Sequence, residues 1–396
     1  KIACFYVKIL KMSLLTEFDF ENKLKENKKK AKRMRMTREI TERTIELRKK
    51  LHSMPEASMN ETKTKKALMS FIGENTKLEI VDKGKWFYVL KRAGKENAEA
   101  IAFRADMDAV CGKDGKPGHY CGHDGHSAIL AGFAMWLDGV ETDKDVYLIF
   151  QPAEETGKGA KICAGLLAEK NIKYIFGMHN IPGWPEKNIL IRKGTFACAS
   201  TGLEIAMVGT PSHAGYPEAG KNPGYALARL LLAVQELTAR IKEEKGFVLM
   251  TLIGMDIGSA NYGVCASEGT LRMTVRAEKE SIFEEYVSRI RALAEAEAEA
   301  DGLAIKIEEI ERFPATENCD EACDIAMAAA NANGYAVLQL EEPMRWSEDF
   351  GTYLKTCNGA FFGIGDGCEY AQLHTENYEF PDEITETALN MFAEIL

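Results

Sequence analysis

Short apolar runs that alternate with helical segments constrain the fold of this chain most strongly. Up to about residue 198, the predicted strands 78–81, 86–90, 100–104, 147–150 and 174–178 are interspersed with the predicted helices 61–74, 124–138 and 158–170. Strands that alternate with helices form a largely parallel sheet with helices packed on its faces. The first half of the chain is therefore predicted to have an α/β fold.

The pattern changes near residue 199. From there the predicted order is strand 202–208, helix 222–244, strands 248–253 and 269–276, helix 281–300 and strand 303–310. This βαββαβ order is typical of a small α+β sandwich. The α/β pattern returns afterwards, so we expect one α/β domain formed by 37–198 and 311–396, interrupted by an inserted α+β domain at 199–310.

Composition excludes several classes of protein. The chain has 396 residues and a net charge of −10, so it is long enough for two domains and unsuited to nucleic acid. No apolar run reaches the roughly 20 residues that cross a bilayer. The ten cysteines follow no repeating spacing, which indicates reduced thiols and a cytoplasmic location.

The N-terminal segment 1–36 differs from the rest of the sequence. Basic residues are concentrated in 23–38, and no pattern of a globular domain precedes them. One interpretation is an arm that binds nucleic acid or a membrane surface. The interpretation that we favour is a disordered or non-native extension.

Six consecutive residues near the middle of the chain point to a metal site. Cys121-Gly122-His123-Asp124-Gly125-His126 place a thiol, two imidazoles and a carboxylate within six positions. Cysteine, histidine and carboxylate side chains are the ligands that borderline divalent metals prefer. Taken alone, the motif also allows Cys121 to be a core thiol and His123 a structural loop residue.

Two adjacent carboxylates follow a predicted strand directly. Glu154 and Glu155 come after the apolar run 147–150. In open α/β sheets the active site gathers at the carboxyl ends of the strands. Neighbouring carboxylates repel unless a cation binds one of them, so the pair is predicted to supply one metal ligand and one free base. The alternative is an exposed helix start, where acidic residues are favourable.

Other side chains that can bind a metal or transfer a proton also lie near the ends of predicted strands or in turns. Asp108 and His179 each follow a predicted strand, and His374 lies beyond a glycine-rich turn. A lone histidine is more often structural than a ligand, but two that coincide with strand exits favour a shared site. His213 lies in a Gly/Pro-rich turn of the predicted insertion, where it either contacts a substrate oxygen or is an exposed loop residue.

Together these segments resemble one family of enzymes. The matching segments, in chain order, are 47–56, 103–109, 119–126, 150–155, 177–182, 212–214, 347–350 and 373–374. They are similar to the M20 metallopeptidases, and within them to the amidohydrolases that include hippurate hydrolases, auxin-conjugate hydrolases and N-acetyl-diaminopimelate deacetylases. The resemblance covers about 40–396. It departs from the family in the segment 109–118, where the loop before His119 is shorter than usual.

The resemblance implies a role for each candidate residue. The positions that match ligands of two divalent metal ions (Zn, Mn, Ni or Co) are Cys121, His123, Glu155, His179 and His374. Glu154 matches the general base, and Asp108 matches a carboxylate that orients a ligand. Asn261 and Arg272 match positions that face the substrate.

The resemblance also implies an assembly. The inserted segment 199–310 matches a lid and dimerisation domain, so a homodimer is expected. His213 matches a histidine that reaches the active site of the neighbouring subunit and stabilises the oxyanion there. A short loop at 109–118 leaves the substrate choice open.

The leading hypothesis is a metal-dependent hydrolase that cleaves the amide bond of N-acyl amino acids or small peptide-like conjugates. A hydroxide held by the metals attacks the carbonyl, and Glu154 transfers the proton to the departing amine. The alternative is a non-catalytic metal-dependent binding protein with the same fold, although such a protein would not need Glu154. A structural zinc domain is disfavoured, because its closed sites use cysteine and histidine.

Overall fold

The computed structural model describes residues 38–396, and the extension predicted for 1–36 lies outside this range. The α-helices of the described residues are, in chain order, α1 (38–52), α2 (Thr62–Asn75), α3 (His123–Asp138), α4 (Gly159–Cys163), α5 (Gly165–Glu169), α6 (Pro223–Lys245), α7 (Glu280–Asp301), α8 (Asp320–Asn333), α9 (Gly351–Leu354) and α10 (Thr385–Ile395). The segment predicted as one helix at 158–170 forms the two short helices α4 and α5.

The strands are β1 (Glu79–Asp82), β2 (Phe87–Lys91), β3 (Ala100–Asp106), β4 (Val110–Cys111), β5 (Pro117–Gly118), β6 (Asp145–Gln151), β7 (Ile172–Pro182), β8 (Ile189–Ile191), β9 (Gly194–Ala197), β10 (Ala199–Val208), β11 (Val248–Ile257), β12 (Glu268–Ala277), β13 (Ala304–Phe313), β14 (Thr316–Asn318), β15 (Val337–Gln339) and β16 (Asn358–Gly367). All the predicted strands are present; those at 78–81 and 86–90 are shifted by one residue, and the others are longer than predicted. The short strands β4, β5, β8, β9, β14 and β15 were not predicted, because runs of two to four residues carry too little periodicity.

A central sheet of eight strands organises the larger part of the molecule. Its order is β1-β2-β6-β3-β7-β16-β8-β15, and the four adjacent strands β6, β3, β7 and β16 are mutually parallel. β3 and β7 are buried along nearly their whole length, as expected for strands covered on both faces. The predicted α/β fold with a mostly parallel sheet is confirmed.

The register of the parallel strands brings the candidate residues to one edge. Asp106 at the end of β3 is level with Gln151 at the end of β6. His179 was predicted to follow its strand, but it lies inside β7, which runs to Pro182 and pairs with β16 there. Because β7 pairs with β16 as far as Pro182, the strand continues beyond the apolar run 174–178. The chain segments that follow β3 and β6 therefore meet beside His179.

The second sheet has four antiparallel strands in the order β11-β12-β10-β13. The chain order from β10 to β13 is strand, helix, two strands, helix, strand, with α6 and α7 as the helices. These helices and strands share a hydrophobic core that is separate from the two clusters around the central sheet. The additional antiparallel sheet was therefore predicted correctly as part of the fold.

Candidate metal centre and active site

A left-handed glycine positions the first pair of candidate ligands. Gly122 has φ +94°, and a Cβ at this residue would lie 2.5 Å from the Asn180 side-chain oxygen. Only glycine fits this conformation and this contact without strain. The turn leads directly into α3, so Cys121 precedes the helix and His123 is its first residue.

Five predicted ligands surround one small space. The Cys121 Sγ atom lies 3.5 Å from Nε2 of His179 and 3.3 Å from Nε2 of His374. The carboxylate oxygen Oε1 of Glu155 lies 3.5 Å from Nε2 of His374 and 3.7 Å from Nε2 of His123. Two groups of donor atoms share Cys121, with His123 and His179 in one and Glu155 and His374 in the other, and a further group joins His123 and Glu155 with Glu154.

Two atoms of this cluster are buried without a hydrogen-bond partner. They are Nε2 of His123 and Oε1 of Glu155, which face each other. Burying a polar atom without a partner costs free energy, so the arrangement favours an ion between them. Burial also raises the pKa of the Cys121 thiol, and a nearby cation would oppose this by stabilising the thiolate. The residues therefore fit divalent metal ions.

The remaining nitrogen of His123 is held by the main chain. Its Nδ1 lies 3.0 Å from the carbonyl oxygen of Asp108, which directs Nε2 toward the cluster. A ligating histidine commonly donates its other ring N–H in this way, because the bond fixes the tautomer and the ring orientation. His374 is different, since its Nε2 lies 3.3 Å from Cys121 Sγ and 3.5 Å from Glu155 Oε1, and the interaction with these two groups raises its pKa to about 10.

Glu154 lies beside the cluster, and its carboxylate forms a group of donor atoms with His123 and Glu155. Its Oε2 atom is 4.0 Å from Nε2 of His123, and its Oε1 atom accepts a hydrogen bond from the backbone N–H of Asp349 at 3.3 Å. Burial raises the pKa of Glu154 well above its usual value, and the negative charges of Glu348 and Glu155 raise it further. A carboxyl group in this environment takes up protons readily, as a general base must.

The Asp108 carboxylate supports both glutamates through their backbone. It accepts hydrogen bonds from the amides of Glu154 and Glu155 and from the Ser58 hydroxyl, the last at 2.6 Å. Burial alone would raise the pKa of Asp108, but the hydrogen bond and charge of His123 together with the Ser58 hydrogen bond lower it overall. Asp108 therefore remains an acceptor for both amides.

A buried ion-pair network lies behind Glu154. Arg104 donates to Asp106 at 2.7 Å, to Glu348 at 3.0 Å and to Asp349 at 2.8 Å. Sequence reasoning missed this network, although a charged pair inside the apolar strand β3 was a visible signal. A buried arginine needs paired carboxylates, but nothing in the sequence identified Glu348 and Asp349 as its partners.

A cavity of about 830 Å³ opens onto the cluster. Its walls include Cys121, His179 and His374 together with Glu154 and Glu155. The short segment 109–118, whose length leaves the substrate choice open, forms the hairpin of β4 and β5. It contributes Val110 and Cys111 to the cavity wall. Residues of the second sheet region, including Ser200 and Arg276, complete the cavity.

Three predicted residues lie elsewhere in the single chain. His213 is exposed, Asn261 accepts a hydrogen bond from the Gly263 amide, and neither lines the cavity. The Arg272 guanidinium is paired with the carboxylates of Glu204 and Asp256. One chain therefore does not bring these three residues to the candidate metal centre.

The fold and the site define a metal-dependent hydrolase of amide bonds, and comparison with known proteins agrees. Residues 102–396 match the model of peptidase family M20/M25/M40, and the chain belongs to this family. No helix within 38–396 has the length and apolar character that crossing a membrane requires.

Individual relatives cover nearly the whole chain. A hippurate hydrolase of Campylobacter jejuni is 30% identical over 370 residues, which are 88% of this chain and 94% of the relative. An N-acetylcysteine deacetylase of Bacillus subtilis is 28% identical, covering 89% of this chain and 96% of the relative. A solved Bacillus subtilis structure, described as a dinuclear metal-binding peptidase of the M20 family, has 25% identity and a TM-score of 0.76, covering 90% of this chain and 97% of its own.

Proposed function

We propose that this protein hydrolyses the amide bond of N-acyl amino acids with two divalent metal ions as cofactors. The observation that carries the proposal is the buried pair of His123 Nε2 and Glu155 Oε1, which have no hydrogen-bond partner, next to the buried carboxylate of Glu154. Relatives named for hippurate and N-acetylcysteine act on small acylated amino acids, which supports this substrate class.

The two overlapping donor groups support the number of ions. Each group offers three side chains, and Cys121 belongs to both. Cys121, His123 and His179 would hold one ion, and Cys121, Glu155 and His374 would hold the other. Cysteine and histidine donors suit Zn, Ni or Co, while the carboxylate also suits Mn.

Bound divalent ions would polarise the scissile carbonyl and lower the pKa of a water to about 7. The protein residues supply the proton transfers. Glu154 takes the proton from the attacking water and gives it to the departing amine. Asp108 fixes the turn that presents Glu154, because both its oxygens bind backbone amides there. Asp349 orients the Glu154 carboxylate through its backbone N–H.

We also propose that 199–310 is an inserted lid and dimerisation domain, and that 37–198 with 311–396 is the catalytic domain. The edge strand β11 of the inserted segment exposes Leu252 and Ile253, and the following loop exposes Tyr262 almost completely. Exposed apolar side chains along an unpaired strand edge are typical of an interface. In such a homodimer the exposed His213 would reach the partner's cavity and stabilise the oxyanion. A cytoplasmic location stays a prediction.

The alternative, a metal-dependent binding protein without catalysis, leaves Glu154 unexplained. A binder needs no base beside its metal ligands, whereas the position of Glu154 suits proton transfer. The test is a panel of N-acyl amino acids offered to metal-free protein and to protein reloaded with Zn, Mn, Ni or Co. Hydrolysis is expected only after reloading, with a stoichiometry of two ions per chain. Binding without hydrolysis for every metal would favour the alternative.

A further inference from the structure

A tryptophan forms part of the cavity wall beside the candidate metal centre. Trp346 is half-buried and lines the cavity, and hydrogen bonds fix the chain around it. Its carbonyl oxygen accepts a hydrogen bond from the Cys198 amide at 3.2 Å. Two residues further on, the Glu348 carboxylate accepts a hydrogen bond from Arg104 at 3.0 Å. The main chain thus holds the indole ring in a defined place.

The indole ring has aromatic neighbours on part of its surface. Its centroid lies 6.1 Å from that of the fully buried Phe196 ring, and the two planes meet at 72°. The centroid of the His179 ring lies 5.4 Å away, with 44° between the planes. Neither contact is a parallel stack. The rest of the ring borders the cavity, whose apolar wall also includes Phe313 and Ile181. A flat aromatic surface is therefore open to a ligand in the cavity.

The indole ring lies one side chain away from the place where the reaction would occur. The His179 ring contacts Trp346, and its Nε2 atom is 3.5 Å from the Cys121 sulfur. In the proposed function the metal ions of this cluster would hold the scissile carbonyl. The groups on either side of the amide, which are the acyl group and the amino-acid side chain, then come within reach of Trp346. An acetyl group alone would leave most of the cavity of about 830 Å³ unfilled.

We propose that Trp346 determines substrate specificity by stacking on an aromatic ring that the substrate carries beside its scissile amide. Any apolar group gains from being buried against the indole ring. An aromatic ring gains more, because two flat π systems attract each other in an offset stack. The ring can belong to an aromatic acyl group or to an aromatic amino-acid side chain, and the experiment distinguishes these two sources.

This inference rests on the proposed function and is tested with pairs of substrates that differ in aromaticity. N-benzoylglycine is compared with N-cyclohexanecarbonylglycine, and N-acetylphenylalanine with N-acetylcyclohexylalanine. Saturation keeps the approximate size and the apolar character of the group but removes its π system. For each pair, the ratio of kcat/KM for the aromatic member to that for the saturated member is measured with metal-loaded protein. The ratio compares two substrates on one sample, so partial loss of metal or of folded protein does not alter it.

Trp346→Leu should lower this ratio about threefold to tenfold relative to wild type in at least one pair, because leucine is apolar but has no ring to stack. Trp346→Phe keeps a smaller ring and should fall between. The pair whose ratio falls identifies the side of the amide that lies on Trp346. The matched control is Trp184→Leu, since Trp184 is also half-buried against the same hydrophobic cluster but does not line the cavity. It should leave both ratios unchanged.

Equal losses on both members of each pair would show that Trp346 is only a wall of the cavity, and would overturn the proposal. Unchanged activity of Trp346→Leu on all four compounds would overturn it as well. If wild type hydrolyses none of them, the proposed function fails. Calorimetric binding of the four compounds to wild type and Trp346→Leu then decides the inference. A preference for an aromatic member that the variant loses supports it, whereas no preference, or one that the variant keeps, refutes it.

Discussion

The Asp108 carboxylate accepts a hydrogen bond from the backbone amide of Glu154 at 3.0 Å. Its other oxygen accepts the amide of Glu155 at 3.1 Å, so one buried side chain fixes the backbone of both glutamates. The preceding residue, Ala153, has φ +51°, in the left-handed region that alanine rarely adopts. The hydrogen bonds to Asp108 therefore stabilise this turn against the conformational preference of Ala153.

Replacing Asp108 should disturb this turn and the metal centre together. In Asp108→Asn one acceptor oxygen becomes an NH₂ donor that faces an N–H donor. We expect metal affinity to fall about 10- to 100-fold, as for other residues that orient ligands. Metal titration with a competing chelator measures this. Ser58→Ala removes only a hydroxyl donor and serves as the control. Equal effects of the two substitutions would contradict the role of Asp108.

The thiol of Cys121 should be needed for metal binding. Cys121→Ser replaces it with a hydroxyl that rarely deprotonates, so both donor groups lose their shared ligand. Elemental analysis should show less bound metal and a weaker affinity. Cys357→Ser is the control, because this buried thiol donates to the Ile172 carbonyl outside the cluster. An unchanged metal stoichiometry in Cys121→Ser would show that Cys121 is a core thiol and not a metal ligand.

A mixture of two inactive proteins should test the assembly. Glu154→Gln lacks the base, and His213→Ala lacks the histidine that we expect to act in the partner's site. In a mixed dimer one site regains both groups, so random mixing should restore about a quarter of the wild-type activity. Native mass spectrometry verifies that mixed dimers form. Activity that stays absent while they form would show that His213 does not act across the interface.

Much of the fold and of the candidate site could be predicted from the sequence. Cys121, His123 and Glu155 combine metal-binding side chains with positions at strand ends, and parallel strands bring such ends together. The alternation of strands and helices likewise indicated the fold class, because the periodicity of apolar residues reflects which faces are buried.

The rest depends on contacts that periodicity does not encode. Arg104 meets Glu348 across 244 positions of sequence separation, so no local pattern could pair them. The same holds for His179, which belongs to β7 only because β16 pairs beside it. Arg276 lies in a predicted strand, and only the structure shows that no carboxylate within 38–396 forms an ion pair with it.

The most direct test compares the two adjacent glutamates as glutamine variants. Glu154→Gln should keep its full metal content and lose more than about 100-fold in kcat on an N-acyl amino acid, because the proton transfers lack their base. Glu155→Gln should lose metal instead, because we expect its carboxylate to bind the metal. Metal content by elemental analysis and turnover are measured on the same samples. Near-normal turnover of Glu154→Gln, or loss of its metal, would contradict the account.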